Sequence, residues 1–151
     1  MQIKRNSSFD AANCAFFVAG TLLTQLGYFL HLAKCVPIPK QQLIFLGHLV
    51  DTVRETFSIP EEKKQKFVTL REEILSLEQV PLNMLQRFQG KCVFLTLMVP
   101  AAQLYTRAVP HAISRAQKLG IPIKLEGDLR EEISHWRFLD SWTGCAPWRG
   151  C

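Results

Sequence analysis

The stretch LQRFQGKCVFL, residues 85–95, combines helical periodicity with a glycine at its centre. Its apolar residues recur at helical spacing and predict one buried stripe: Leu85, Phe88, Cys92 and Leu95. Gly90 costs about 1 kcal/mol in a helix interior relative to alanine. Gln86, Gly90 and Phe94 follow one another in steps of four, so they share a face beside the stripe. Either a second helix packs on this face or a ligand backbone lies against it, and spacing alone favours the second helix.

Composition describes a globular chain that is long enough to form a real core. The 151 residues are 48% hydrophobic and 21% charged, with a formal net charge of +5. The positive excess is spread along the chain and does not concentrate in one segment. Such a balance tolerates a polyanionic partner without requiring one.

The five cysteines favour reduced thiols. Their number is odd and no C-x-x-C pair occurs, which argues against a disulfide framework and against a zinc site. Cys92 lies within an apolar helical run, where a buried thiol is the ordinary interpretation. Reduced thiols fit an intracellular protein, in the cytoplasm or the nucleus.

The first third of the chain predicts one helix and a small sheet. Residues 8–26 are apolar on most faces, which predicts a helix buried on more than one side. The runs 28–36 and 43–51 are short, apolar and separated by prolines, so they predict two paired strands, with a third strand near 55–60. The stretch AANCAFFVAGTLL (11–23) is interpreted as part of the buried helix and not as a targeting or membrane segment, because Asp10 interrupts the approach to it.

The rest of the chain predicts helices. Ser58 and Glu61 have the spacing of a capping box, which predicts a helix from there to about residue 77. Further helices are predicted after Pro81 to about 98, over 101–118 and over 128–140, with the stretch CVFLTLMVPAA (92–102) buried. The predicted fold class is therefore α+β.

The residues alone do not predict an active site. The four aspartates are scattered, as are the four histidines, and the paired glutamates lie on amphipathic helices where a solvated face is the ordinary interpretation. No Ser/His/Asp or Cys/His set follows from the spacing, and no glycine-rich phosphate loop occurs. We therefore assign no catalytic residue and no metal ligand from spacing.

The stretch LQRFQGKCVFLTLMVPAAQLY (85–105) resembles the helix pair of the reverse transcriptase thumb. Gln86, Gly90 and Phe94 match the glutamine, glycine and aromatic of the family's first thumb helix, and Lys91 matches the lysine after the glycine. In that family these residues track the minor groove of the template–primer duplex. The resemblance therefore implies that this chain binds an RNA–DNA or DNA–DNA duplex.

Two upstream stretches extend the resemblance. LIFLGHLVD (43–51) resembles the primer-grip hairpin, with Leu46 and Gly47 at its turn. LTQLGYFLHLAKCVPIP (23–39) resembles a palm segment, in which Lys34 matches a lysine near the departing pyrophosphate. The resemblance thus implies a partial palm, formed by a helix and a small antiparallel strand pair or hairpin, followed by a helical thumb bundle and a connection helix.

Taken together, the chain resembles reverse transcriptases of DIRS-like retrotransposons, which carry a tyrosine recombinase. The resemblance implies palm residues 1–52, thumb residues 53–108 and the start of a connection at 109–151. Nothing matches the family's Y-x-D-D turn, and the acidic residues of a ribonuclease H are missing. The chain is therefore expected to hold a duplex without polymerising DNA alone, and Mg²⁺ is expected only for a full-length enzyme that also has the remaining palm, the fingers and the ribonuclease H.

The hypothesis of duplex binding has two alternatives. Under that hypothesis five cations are candidate phosphate contacts: Lys63, Lys64, Lys66, Arg87 and Lys91. The first alternative is a helical protein-interaction module that uses the Gly90 face or the region of Trp136, Trp142 and Trp148, although packing is the ordinary role of such tryptophans. The second alternative is a pseudogene remnant without function.

Overall fold

The computed structural model describes residues 2–100 and 102–148, and for residues 2–7 it describes the backbone only. Its mixture of helices with a small antiparallel sheet confirms the predicted α+β class. The chain divides into two compact units, 1–41 and 42–151. The predicted palm, thumb and connection ranges remain predictions.

The N-terminal unit consists of one long helix and a short irregular segment. Helix α1 spans Gln2–Gln25, and the chain turns at Gly27, whose φ is +89°. The prediction that this helix is buried is wrong, because Phe17 and Val18 are 64% and 63% exposed. Its apolar side chains point to all sides, and the described remainder of the unit is too short to cover them.

The predicted strand at residues 28–36 is also wrong. That segment contains a short 3₁₀ helix, Leu32–Lys34, followed by an extended stretch through Pro37 and Pro39. The reason is that the neighbouring run, 43–51, pairs with itself and therefore needs no partner from 28–36.

The C-terminal unit begins with a meander of three antiparallel strands. Strand β1 (Gln42–Phe45) pairs with β2 (His48–Asp51), and β2 pairs with β3 (Thr56–Ser58). The turn between β1 and β2 is Leu46–Gly47, as the hairpin prediction required, and β3 lies where the third strand was predicted. Both turn residues have positive φ, 51° and 85°, which is the backbone of a type I′ turn.

Four helices follow the meander. They are α2 (Glu61–Leu75), α3 (Leu82–Leu95), α4 (Ala108–Leu119) and α5 (Gly127–His135). The predicted helix at 101–118 is interrupted, since a 3₁₀ helix (Ala102–Tyr105) precedes α4 and Ala101 lies outside the described residues. The predicted helix at 128–140 is likewise α5 continued by a 3₁₀ helix, Trp136–Asp140.

The predicted capping box before α2 is wrong. Ser58 belongs to β3, and the N-cap is Pro60, which makes no side-chain cap hydrogen bond in the described structure. Glu61 and Glu62 occupy the first turn instead, where their negative charge complements the helix dipole.

Three very short strands escaped the sequence analysis. Strand β4 (Gln79–Val80) pairs with β5 (Ile123–Lys124), and β6 (Ala146–Pro147) pairs with β3. The main sheet therefore has the order β1-β2-β3-β6.

One hydrophobic core joins all four helices of the C-terminal unit. The four residues of the predicted α3 stripe are buried, as predicted: Leu85, Phe88, Cys92 and Leu95. The Phe67 ring stacks on Phe88 at 5.2 Å between centroids and meets Trp136 edge-on at 5.4 Å. Trp136 is fully buried, so packing is its role. The predicted burial of 92–102 is only partly right: Met98 and Ala102 are buried, whereas Val93 and Leu97 are 60% and 65% exposed.

A buried arginine links α2 to the C-terminal 3₁₀ helix. The guanidinium of Arg71, 1% exposed, donates to both carboxylate oxygens of Asp140 at 2.9 Å and to the carbonyl oxygen of Trp136 at 3.0 Å. It also donates to Glu72 at 2.9 Å, and Glu72 accepts from Arg137 at 3.4 Å. This bidentate geometry is the form in which a buried guanidinium is tolerated.

Candidate nucleic-acid interface

A groove of about 340 Å³ runs between α2 and α3 beside Gly90. Phe67 and Leu95, both buried, form its floor. A Cβ built on Gly90 meets no heavy atom of the described chain within 4 Å, apart from the backbone of its own helix. The interpretation that a second helix packs on Gly90 is therefore wrong, and the glycine faces open space at the edge of a groove.

Cations without acidic partners line this groove. Lys63 comes from α2, while Arg87 and Lys91 come from α3 on either side of Gly90. Within residues 2–100 and 102–148, none of the three makes an ion pair. An anion bound here would give these side chains an opposite charge to pair with.

The environment of Lys91 shows how closely the positive charges lie together. Partial burial lowers the pKa of Lys91, and the positive charges of Lys63, Arg87 and Lys66 lower it further. Both causes disfavour the charged ammonium. A bound phosphate would supply the opposite charge and raise this pKa.

The other two candidate lysines are already engaged. Lys66 pairs with Glu62 one turn away on α2, and this contact lowers the pKa of the Glu62 carboxyl. Lys64 donates to the carbonyl oxygen of Trp142 at 2.9 Å. Of the five predicted phosphate contacts, the structure therefore leaves Lys63, Arg87 and Lys91 available.

The hairpin turn lies against the end of the same groove. A Cβ on Gly47 would approach Phe94 Cε2 to 3.1 Å, a tight contact that the ring would have to relieve by moving, and the φ of +85° independently favours glycine here. The His48 ring stacks on the Phe94 ring with 4.2 Å between centroids, and His48 Nε2 lies 3.4 Å from the Phe94 carbonyl oxygen. Lys63 Nζ lies 6.0 Å from the Phe94 ring centroid.

The structure thus brings Gly47, Phe94, Gly90 and Lys91 into one region, although they come from two separate predicted motifs. Sequence reasoning missed His48, which holds the hairpin onto α3. The available signal for this role was the position of His48 directly after Gly47, because a planar ring there can reach Phe94, which lies against the glycine.

Leu46 stands at the tip of the hairpin. It is 80% exposed, and its φ of 51° is a conformation that leucine disfavours and asparagine tolerates. Its neighbours Ile44 and Phe45 are 62% and 60% exposed. An exposed apolar residue in a strained turn is costly on both counts, which marks this tip as a candidate contact surface.

The remaining predicted residues are accessible. Gln86 is exposed on α3, one turn before Gly90. Lys34 is exposed in the 3₁₀ helix of the N-terminal unit, and its role near a pyrophosphate remains a prediction.

Two of the aspartates have structural roles. Asp51 Oδ1 accepts from the backbone N–H groups of Val53 and Arg54, while Oδ2 accepts from Gln42; the Arg54 bond is the largest cause of its lowered pKa. Asp140 binds Arg71. In the part of the chain that the structure describes, no three His, Cys, Asp or Glu side chains are grouped so that they can hold a metal ion.

No described helix combines the length and apolar character needed to cross a bilayer. Comparison of the chain with protein-family models, with curated proteins and with solved structures found no match.

Proposed function

We propose that the C-terminal unit holds a nucleic-acid duplex by its phosphate backbone in the α2–α3 groove. The observation that carries the proposal is an open glycine, Gly90, beside three cations that make no ion pair with any described residue: Lys63, Arg87 and Lys91. Ion pairing with phosphates accounts for most sequence-independent affinity for nucleic acids. The proposed binding is therefore salt-sensitive and indifferent to base sequence.

Each element of the groove has a role in this proposal. The notch at Gly90 lets a sugar–phosphate backbone approach α3 closely, because no side chain projects there. Gln86, one turn away, can donate from its amide to minor-groove acceptors, which A·T and G·C pairs both present. The Phe94 ring stacks on His48 with one face, and this contact positions the hairpin tip. The remaining surface of the ring can contact a sugar.

At the level of the whole chain, we propose a fragment of a reverse transcriptase from a DIRS-like retroelement. The resemblance of residues 85–105 and 43–51 to the thumb and primer grip supports this assignment, as does the hairpin that forms at Leu46–Gly47. The retained activity is the holding of a template–primer duplex. Polymerisation with Mg²⁺ belongs to a full-length enzyme that supplies the catalytic aspartates.

The proposal is tested by fluorescence anisotropy with a labelled RNA–DNA hybrid at a series of salt concentrations. Affinity should fall linearly on a log–log plot, and Lys63→Ala, Arg87→Ala and Lys91→Ala should each reduce the slope by about 1. Lys118→Ala on α4 removes the same charge outside the groove and is the matched control. Salt-independent binding, or equal effects of the control and the groove variants, would refute the proposal.

Variants at Gly90 separate the shape of the groove from its charge. Gly90→Ala should raise the free energy of unfolding by about 1 kcal/mol, since the site is open and helical. Gly90→Leu should fill the notch and weaken hybrid binding about tenfold with all cations still present. If Gly90→Leu binds the hybrid like the unmodified chain, the duplex does not enter at this glycine.

A protein-interaction module is the second candidate, and α1 favours it. Apolar side chains along this helix are exposed, among them Phe17, Leu22 and Leu26. Sedimentation velocity compares the unmodified chain with a Phe17→Glu/Leu22→Glu variant. Self-association that the variant abolishes, together with unchanged hybrid binding, would assign a protein contact to α1 alone.

A further inference from the structure

A second groove, of about 800 Å³, separates α4 from the segment that contains β5 and the start of α5. Its volume lies in the range of ligand sites in proteins. Three half-buried alanines, Ala108, Ala112 and Ala116, line it at intervals of four along α4. Such small side chains permit a second helix to approach closely, and they offer a small molecule few polar contacts.

One wall of this groove is basic. Arg107, His111 and Arg115 are exposed and repeat every four residues on α4, which places them over about 12 Å of helix. Lys124 on β5 adds a fourth basic residue. Between residues 2 and 100 and between 102 and 148, none of these four side chains has an ion-pair partner.

The acidic residues of the groove do not neutralise this wall. Glu132 is committed to the N-terminus of α4: its carboxylate accepts from the backbone N–H groups of Arg107, Ala108 and Val109 at 3.0, 2.8 and 3.1 Å. Glu126 and Asp128 are exposed on the β5–α5 side. The groove thus has a basic wall and an acidic edge. A helix that is acidic on one face alone can meet the wall and turn another face to Glu126 and Asp128, whereas a nucleic acid carries negative charge all round and would be repelled by the two carboxylates.

We propose that this groove binds an amphipathic helix of another protein, with acidic residues at i, i+4 and i+8. Those residues would face Arg107, His111 and Arg115, which have the same repeat, while the apolar side of the helix lies on the alanines. Complementarity of charge and of helical repeat identifies this occupant. The length of the wall fits two turns of helix better than a compact metabolite. The binding is independent of the duplex groove between α2 and α3.

The test uses the full chain and a designed 18-residue helical peptide. The peptide carries glutamate at i, i+4 and i+8 beside a leucine–alanine stripe. Isothermal titration should show saturable one-to-one binding, while a scrambled peptide of the same composition should bind at least about tenfold more weakly. Absence of binding, or equal binding of the scrambled peptide, would overturn the proposal.

Charge reversal tests whether the basic wall of the groove contacts the glutamates of the peptide. Arg107→Glu/Arg115→Glu should weaken the glutamate peptide about tenfold and create binding of a matched lysine peptide. Lys118→Glu on the same helix lies outside the groove and should change neither. If the double variant instead weakens RNA–DNA hybrid binding and leaves the glutamate peptide unaffected, the groove belongs to nucleic acid and the proposal is wrong.

Discussion

Helices α1 and α3 are both rich in apolar residues, yet they have opposite environments. In α3 four apolar residues form one buried stripe, in which Leu85 and Phe88 are fully buried, while Val93 on another face is 60% exposed. In α1 they point to all sides, and Phe17 and Leu22 are 64% and 55% exposed. The comparison shows that apolar content alone does not determine burial. One neighbouring surface is enough to bury an apolar stripe, whereas a helix that is apolar all round needs neighbours on every side to be buried.

The largest expected effect compares two phenylalanines directly. Phe88→Ala should lower the free energy of unfolding by about 3–5 kcal/mol, because a fully buried ring is removed from the core. Phe17→Ala should change it by less than about 0.5 kcal/mol. Urea unfolding followed by far-UV circular dichroism reports on the helices of both units, so it measures the two variants with one signal. Equal losses for the two variants would contradict the comparison.

The next effect concerns the polar part of the C-terminal core. Arg71→Met should cost about 3 kcal/mol, because the carbonyl of Trp136 and the two carboxylates lose their shared donor. Arg137→Met is the control, since Arg137 is 58% exposed and touches Glu72 only at 3.4 Å; it should cost less than about 0.5 kcal/mol. If the two variants unfold at the same urea concentration, the hydrogen bonds of the Arg71 guanidinium add no stability beyond that of the exposed Arg137.

Acid should weaken the same contact. Hydrogen bonding to Arg71 lowers the pKa of Asp140, and hydrogen bonds to Arg137 and Arg71 lower that of Glu72. Both carboxyls ionise more readily in the folded state than in the unfolded chain, so their contribution is complete above their ordinary values of 3.8 and 4.5 and is lost as pH falls below them.

Chemical unfolding between pH 6 and pH 3 measures this loss. Arg71→Met should flatten the decline in stability at acid pH, because it removes the cause of the Asp140 shift. A decline equally steep in the variant would assign the acid sensitivity to other groups.

The smallest effect concerns the hairpin tip, where the exposed residue Leu46 lies in a strained turn, whereas the exposed residues of α1 lie in a regular helix. Leu46→Asn should raise the free energy of unfolding by about 0.5–1 kcal/mol, because asparagine tolerates the positive φ of a type I′ turn. If the tip touches a duplex, the same change should weaken hybrid binding. A more stable protein with undiminished binding would remove Leu46 from the interface.

Periodicity in the sequence predicts the C-terminal helices well. It predicts residues 43–51 as one strand paired with 28–36, which is wrong, and the hairpin within 43–51 is implied only by the resemblance to the primer grip. The α3 stripe is buried at every predicted position, and the turn forms at Leu46–Gly47. Both features are local in the structure: a repeat of three and four residues defines the stripe, and a two-residue turn with positive φ at Leu46 and Gly47 defines the hairpin. Spacing alone could not predict that Gly90 faces open space, because this depends on whether another element of the folded chain packs against that face of α3.

Other features depended on partners distant in sequence. Strands β4, β5 and β6 have two residues each, too few for any alternation to show. Arg71 lies in the run REE and looks solvated, although it follows Phe67 by four residues and precedes Ile74 by three, which places it on the buried face. That position was the available signal for its burial. The partner that makes burial possible, Asp140, is visible only in the folded chain.

The pairing of β6 with β3 has a consequence for the order in which the unit forms during translation. β3 is an interior strand only because Ala146 and Pro147 return to it from the far end of the chain. On a ribosome, residues 56–58 precede that return by roughly 5–20 s, given usual elongation rates. Throughout that interval β3 presents an open edge with unpaired backbone groups, so the nascent protein is most vulnerable to wrong pairing at this strand before residues 146–147 are made.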